Sequence, residues 1–300
     1  MKKNKVIFLL GATGSGKTSF AVKLAKFFDG EIISADSVQV FKEFDIGSAK
    51  VTSEETQGVK HYGIDIKSPT ENFSAGEYVQ YTKDCINEIL KHNRIPIIAG
   101  GTGLYVKALT EGYNFGDSEK NQEFREKIER EIQEKGIDTV VAENINVLGA
   151  LNESDRKNKV RVVRALEIAN AGGSKDKNNQ PEYDFKVLAL SLPREKLYQK
   201  INKRVDIMIK EGLVEEVRTL FQKYGNCQPM TAIGYKEVLP FLNGEISLDE
   251  MAEKIKQNTR HYAKRQLTFL RGMQNIEYVD LQDEENFEKT KESIKQWLNK

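Results

Sequence analysis

The chain has 300 residues, of which 39% are hydrophobic and 30% charged, with 46 Lys and Arg against 45 Asp and Glu. That balance excludes a disordered chain and a polycation, so any nucleic-acid binding must come from local basic faces. No apolar run approaches the roughly 18 residues of a transmembrane helix.

Val6-Ile-Phe-Leu-Leu10 reads as a buried strand. It is too short for a signal-peptide core and lacks a small-residue cleavage site behind it. Cys85 and Cys227 form no metal or CxxC pattern. A cytoplasmic protein is therefore expected. A Gly-rich turn follows the strand, then a helical pattern through Phe20, Leu24 and Phe27. Glu31 to Ser34 is a second strand, residues 76–92 an amphipathic helix, and Ile95 to Ala99 a third strand entering Gly100-Gly101-Thr102-Gly103. Strands alternating with helices predict an α/β fold with a parallel sheet covered on both faces. Residues 119–171 are charged and helical, and Gly172 to Asp184 is polar and reads as a surface loop. Lys186 to Leu192 returns to strand, helices cover 194–223 and 248–271, Ile276 to Val279 is a short strand, and 285–298 a closing helix. The expected organisation is an α/β core of residues 1–112 and 186–300, interrupted by a helical insert at 113–185.

Gly11-Ala12-Thr13-Gly14-Ser15-Gly16-Lys17-Thr18 matches GxxxxGK[ST] between a strand and a helix. Such a loop turns backbone N–H groups toward a phosphate, and the helix N-terminus adds partial positive charge. Lys17 would clamp phosphate oxygens, and Thr18 would hold Mg²⁺. The motif specifies a phosphate group, not ATP hydrolysis. The third strand ends in Ala-Gly-Gly-Thr, without the acid that NTP hydrolases place after an apolar strand.

Asp36 follows the second strand, and carboxyl ends of strands line the binding crevice of such sheets. It can act as a proton acceptor or cap the turn Ser37-Val38-Gln39. Thr102, just past the third strand, can orient an amine or a phosphate, or make a local turn. Arg204 borders the apolar stripe Leu197, Ile201, Val205, Met208. Residue type alone favours a snorkelling side chain there over one reaching an anion. Two basic faces stand out. Residues 156–164 hold five Lys or Arg in nine, and Lys254, His261, Lys264, Arg265, Thr268 and Arg271 fall at helical spacing. The other face of that second helix, with Leu248, Met251, Ile255 and Tyr262, reads as core. Each basic face is a solvated helix surface or a polyanion footprint.

Taken together, these residues resemble the tRNA dimethylallyltransferase (tRNA isopentenyltransferase) family. GATGSGKT (11–18), SADSVQVFKEFDIGSAK (34–50), IPIIAGGTGLYVKAL (95–109), RVVRALEI (161–168), AIGYKEV (232–238) and TRHYAKRQLTFLR (259–271) carry the resemblance along nearly the whole chain. It implies a P-loop NTPase-like core with a helical insertion, and prenyl transfer to tRNA with Mg²⁺ as cofactor. Asp36 resembles the general base, Thr102 an adenine-contacting residue, and Arg204 an arginine assisting the diphosphate, which reverses the snorkelling preference. Residues 11–18 resemble the cradle of dimethylallyl diphosphate. Asp36, Ser37, Val38, Gln39, Thr102, Arg125, Arg161, Arg164, Gly234, Tyr235, Lys236, Lys264, Arg265, Gln266 and Arg271 match tRNA-contacting stretches, and the anticodon stem-loop is the implied partner of a monomer. The chain departs from the usual GPTASGKT at Ala12 and Gly14, carries Phe269 where the family usually has Trp, and lacks a His-Pro-Asn signal before residue 161.

Two readings compete with this one. A small-molecule kinase would use the same loop but leave the basic helices idle. A prenyltransferase acting on free adenine nucleotide would need no tRNA-binding insert.

Overall fold

The computed structural model describes residues 3–110, 121–171, 182–283 and 285–300. Most of the polar stretch read as a surface loop, residues 172–181, lies outside them. Two compact units are present, residues 1–111 with 180–300, and residues 112–179.

The larger unit is built on six strands, β1 (Lys5–Gly11), β2 (Gly30–Ala35), β3 (His61–Tyr62), β4 (Ile95–Gly100), β5 (Asp184–Ser191) and β6 (Ile276–Asp280). All pair in parallel, in the order β3-β2-β4-β1-β5-β6. Its helices are α1 (Lys17–Phe28), α2 (Ser53–Thr56), α3 (Ala75–Lys91) and α4 (Gly103–Thr110) before the smaller unit. The smaller unit contains α5 (Gln122–Lys135), α6 (Ile137–Glu143), α7 (Ile145–Leu148), α8 (Glu153–Arg156) and α9 (Lys159–Asn170). The larger unit resumes with α10 (Arg194–Lys210), α11 (Leu213–Tyr224), α12 (Val238–Leu242), α13 (Leu248–Arg271) and α14 (Asn286–Leu298). No helix among the described residues is long and apolar enough to cross a membrane.

β1 is central because it is apolar without interruption. Ile7 and Leu9 pack with Phe20, Leu24, Ile32, Ile97 and Ile294 on one face. The alternate side chains Phe8, Ile33 and Ile98 are fully buried as well. A strand buried on both faces needs both rows apolar, which is the pattern of a covered parallel sheet. Chain direction reverses around β1. β1 leads to β2 on one side of it, whereas β4 leads, after α4 and the smaller unit, to β5 on the other. The carboxyl ends of β1 and β4 therefore border the crevice where ligands bind in open parallel sheets.

Three details depart from the sequence expectation. The stretch 194–223 is two helices, because Glu211 ends α10 and Gly212, at φ 103°, starts α11. Phe27 and Leu248, assigned to apolar faces, are 45% and 43% exposed. β3, only two residues long, escapes any periodicity.

The smaller unit is helical, with its own core of Ile128, Val140, Val141, Leu148, Val162, Val163 and Leu166.

Candidate active site

The phosphate loop leaves the end of β1 and turns into α1. Gly14 and Gly16 hold φ at 78° and 93°, where residues with a Cβ are strained. Gly16 is the N-cap of α1, yet no side chain caps that helix and no acid lies in its first turn. Orphan N–H groups at a helix start usually find a side-chain oxygen. Here they stay open at the positive end of the helix dipole, an arrangement that takes an anion. The Ala12 carbonyl accepts both the Ser15 N–H (3.1 Å) and Lys17 Nζ (2.9 Å). The lysine is thus folded over the loop with donors to spare. Ser15 Oγ is buried without a hydrogen-bond partner among the described residues, a polar atom that a bound oxyanion would satisfy. Thr18 is exposed at the first turn of α1.

Charges converge beside this loop. Burial, then the adjacent Arg204 charge, lowers Lys17 from its ordinary 10.5 to about 8, against the opposing pull of Asp36. Arg204 is held below its ordinary value chiefly by burial, with Asp36 and Glu55 opposing. A snorkelling arginine keeps its head in water. Arg204 itself is partly buried, and its charge interacts with those of Lys17 and Asp36.

Asp36 follows β2. Its Oδ1 accepts the N–H groups of Val38 (2.8 Å) and Gln39 (3.2 Å), so the capping alternative is realised at that oxygen. No hydrogen bond engages Oδ2 among the described residues, and the side chain is partly exposed. The Asp36 charge is felt by Lys17, Arg204, Tyr105 and Tyr262. Burial raises both phenols, and that carboxylate raises them further. Tyr105 stacks on Tyr78 at 3.7 Å and 9°. Thr102, Arg265 and Gln266 oppose that rise at Tyr262. Thr102 stands at the start of α4, where its carbonyl accepts the Tyr105 N–H. Asp36, Lys17 and Arg204 thus share one electrostatic neighbourhood, and Thr102 stands at the carboxyl end of β4, which borders the same crevice.

Tyr262, expected in the core, is only partly buried, and the Asp36 charge raises its phenol. A tyrosine among inward positions was the available signal, because a buried phenol needs a polar partner.

Ser37 is exposed and Val38 partly buried. Gln39, expected to touch RNA, spends its amide internally. Its Oε1 accepts from Ser34 Oγ, and its Nε2 donates to the Ser48 and Ala49 carbonyls. Tyr235 is fully buried, so it has no surface to offer. Its hydroxyl donates to Glu216 Oε1 (2.9 Å) and accepts the Ser48 N–H (3.1 Å). Glu216 also accepts the N–H groups of Asp45, Ile46 and Gly47. Gly234, likewise buried, donates its N–H to Glu237. Of residues 234–236 only Lys236 reaches solvent. This segment shapes the 45–49 loop behind Asp36.

On α13, Lys264, Arg265 and Arg271 are exposed and make no ion pair among the described residues. His261, Lys264, Arg265 and Thr268 line an open groove of about 390 Å³. Lys256 and Arg260 belong elsewhere, since they bond Asp206 and Asn202 of α10. Gln266 turns inward, at 7% exposure.

In the smaller unit the basic stretch is largely neutralised internally. Glu167, only 2% exposed, receives Arg125 through Nε (2.8 Å) and Nη2 (2.7 Å), Arg164 Nη1 (2.5 Å) and the Asn121 N–H (2.9 Å). These contacts hold its carboxyl at about 2. Arg156 caps the end of α7 through the Leu148 and Gly149 carbonyls. Arg161 pairs with Asp155 but remains 60% exposed.

The chain is similar to known proteins along its whole length. A family profile described as IPP transferase matches residues 39–273. A tRNA dimethylallyltransferase of Lactococcus lactis is 41% identical over 100% of both chains. One from Clostridioides difficile is 44% identical, over 98% of this chain and 97% of its own. The crystal structure of a tRNA isopentenylpyrophosphate transferase from Bacillus halodurans superposes with a TM-score of 0.74 at 37% identity, over 99% of this chain and 96% of that one. A eukaryotic dimethylallyltransferase acting on tRNA superposes at 0.78 with 27% identity, over 92% and 74%. The crevice between β1 and β4 is thus the candidate active site of a chain that belongs to the IPP transferase family, the tRNA dimethylallyltransferases.

Proposed function

We propose that this protein transfers the dimethylallyl group of dimethylallyl diphosphate to the N6 amine of the adenosine 3′ of the anticodon, in tRNAs reading codons that begin with U. It acts as a monomer in the cytoplasm. The observation that carries this reading is the electrostatic coupling of a half-free carboxylate, Asp36, with two partly buried cations, Lys17 and Arg204, beside an uncapped phosphate loop.

The chemistry follows from those groups. The amine lone pair is delocalised into the adenine ring, so the nitrogen is a weak nucleophile. As the N6–C1 bond forms and the C1–O bond breaks, the proton leaves nitrogen for Asp36 Oδ2 and diphosphate departs with its electron pair. General-base help of this kind is worth about 10²–10⁴ in rate. Charge developing on the diphosphate is met by Lys17, Arg204 and the loop N–H groups. Thr18 presents an exposed hydroxyl at the helix start. It fits Mg²⁺, which takes few protein oxygens and fills its octahedron with substrate phosphates and water. Bound there, the ion would neutralise part of the leaving-group charge. In this reading Thr102 and Tyr262 orient the adenine, and an anticodon-loop base is cheaper to extrude than a duplex base.

The test is incubation with labelled dimethylallyl diphosphate and unmodified tRNA, with labelled ATP as a parallel donor. Label should appear on N6 of that adenosine. Phosphate transfer to a small metabolite with tRNA left unprenylated would establish a kinase instead. Prenylation of free adenine nucleotide alone would place the chain with nucleotide-specific enzymes.

The exposed stripe of α13 is the RNA footprint in this reading, with Lys236 and Arg161 as further phosphate contacts. Phosphate contacts release counterions, so affinity should fall steeply with salt. Replacing Lys264 and Arg271 together by Ala should weaken tRNA binding and flatten the salt slope by up to about two charges. Donor affinity should not change. Wild-type tRNA affinity across a salt titration of the double variant would remove the stripe from the interface.

A further inference from the structure

We infer that Gln266 is a positioning residue of the phosphate loop, tying that loop to the β4–α4 turn, and does not contact RNA. The inference rests on the donor-site reading above.

Gln266 lies amid the basic stretch of α13, but on its other side. Lys264, Arg265 and Thr268 face solvent, whereas Gln266 is 7% exposed and shares the inward face with Tyr262, Ala263 and Leu270. Both ends of its amide are used. Oε1 accepts the Thr13 N–H at 2.8 Å, and Nε2 donates to the Gly101 carbonyl at 2.9 Å. One side chain thereby links the turn after β1 with the turn after β4. The connection therefore runs from Thr13 in the phosphate loop to Gly101, the residue before Thr102.

The fit is close. A Cβ on Gly101 would stand 2.1 Å from Gln266 Nε2, so glycine at 101 is what admits the amide. Thr13 begins the curl of the loop, and its N–H direction helps set where the following N–H groups aim. Donors pre-aimed at developing charge are effective because they need not reorganise during reaction. An apolar side chain at 266 would take away the partner of the Thr13 N–H and of the Gly101 carbonyl, both partly buried, and the loop would be free to turn away.

Gln266→Met keeps length and volume and removes both hydrogen bonds. Affinity for inorganic diphosphate and for dimethylallyl diphosphate, measured by calorimetry, should drop about tenfold. The donor KM should rise and kcat should fall, while the Kd and KM for tRNA stay at wild-type values. Gly101→Ala should reproduce this pattern by expelling the amide, with residue 266 untouched, and serves if the Met variant unfolds. Thermal melts of both variants separate a loop effect from general loss of fold. Lowered tRNA affinity with unchanged diphosphate affinity would make Gln266 an RNA contact and overturn the inference. So would wild-type values throughout. If the wild-type protein itself binds neither diphosphate nor the prenyl donor, the donor-site reading fails instead.

Discussion

Asp36→Asn should lower the single-turnover rate of prenyl transfer by about 10²–10⁴ and leave tRNA affinity unchanged. The substitution separates the two tasks that the structure gives this side chain. Oδ1 accepts the Val38 and Gln39 N–H groups, and an asparagine carbonyl accepts them equally well. The turn therefore survives, and with it two hydrogen bonds, each worth roughly 0.5–1.5 kcal/mol. The other carboxylate oxygen becomes an amide NH₂, which cannot take a proton from the adenine amine. Asp36→Ala is the informative companion, since it removes base and cap together. The alanine variant should lose rate and some thermal stability, whereas the asparagine variant should lose rate alone. An asparagine variant with the wild-type rate would reduce Asp36 to a cap and move the base elsewhere in the crevice.

What the sequence could and could not disclose has physical causes. The strand–loop–helix unit from Lys5 to Phe28 was legible because an apolar run, a glycine pattern and a helical period agree there. The helical character of residues 122–170 was legible because their charge density and helical period differ from those of the α/β core. Arg164 and Glu167 are three residues apart on α9, a spacing at which helix side chains meet. Arg125 is 42 residues away, and no local pattern could show that Glu167 holds it as well. Tyr235 and Gln39 have the same origin. Each looks like a surface contact by motif and proves to be internal wiring, because the loop at 45–49 needs partners for its backbone groups. Tyr262 and Gln266 show the converse limit. Hydropathy assigns an inward helix position to the core, but α13 runs past the crevice as well as over the core. Gln266 therefore meets Thr13 and Gly101 and carries an amide for that reason.

Lys17→Met should cost about 10²–10³ in kcat, because a donor aimed at the leaving diphosphate is lost. The fold should not suffer from it. Lys17 is held at about 8 by burial and by Arg204, so below that pH the protein carries a desolvated cation that it would hold more comfortably unfolded. For a base whose folded value lies below its unfolded one, the cost is fully present below about 8. It is relieved between 8 and the unfolded value of 10.5 and is gone above that. Methionine removes the cost at every pH, and the Ala12 carbonyl keeps the Ser15 N–H as partner. The melting temperature of Lys17→Met at neutral pH should therefore equal or exceed that of the wild type, the usual exchange of stability for function at a site. The same shift sets a pH profile. In the wild-type protein, diphosphate affinity should be level below about 8 and decline above it, as the free lysine gives up the proton its ligand requires. Each pH unit beyond that point should weaken binding by at most about tenfold, the limit for one proton. The decline should be absent in Lys17→Met and should shift in Arg204→Met, where removal of the neighbouring charge lets Lys17 hold its proton to higher pH. A profile in wild type that stays level to pH 10, or a methionine variant that melts well below it, would show that Lys17 serves the fold and not the diphosphate.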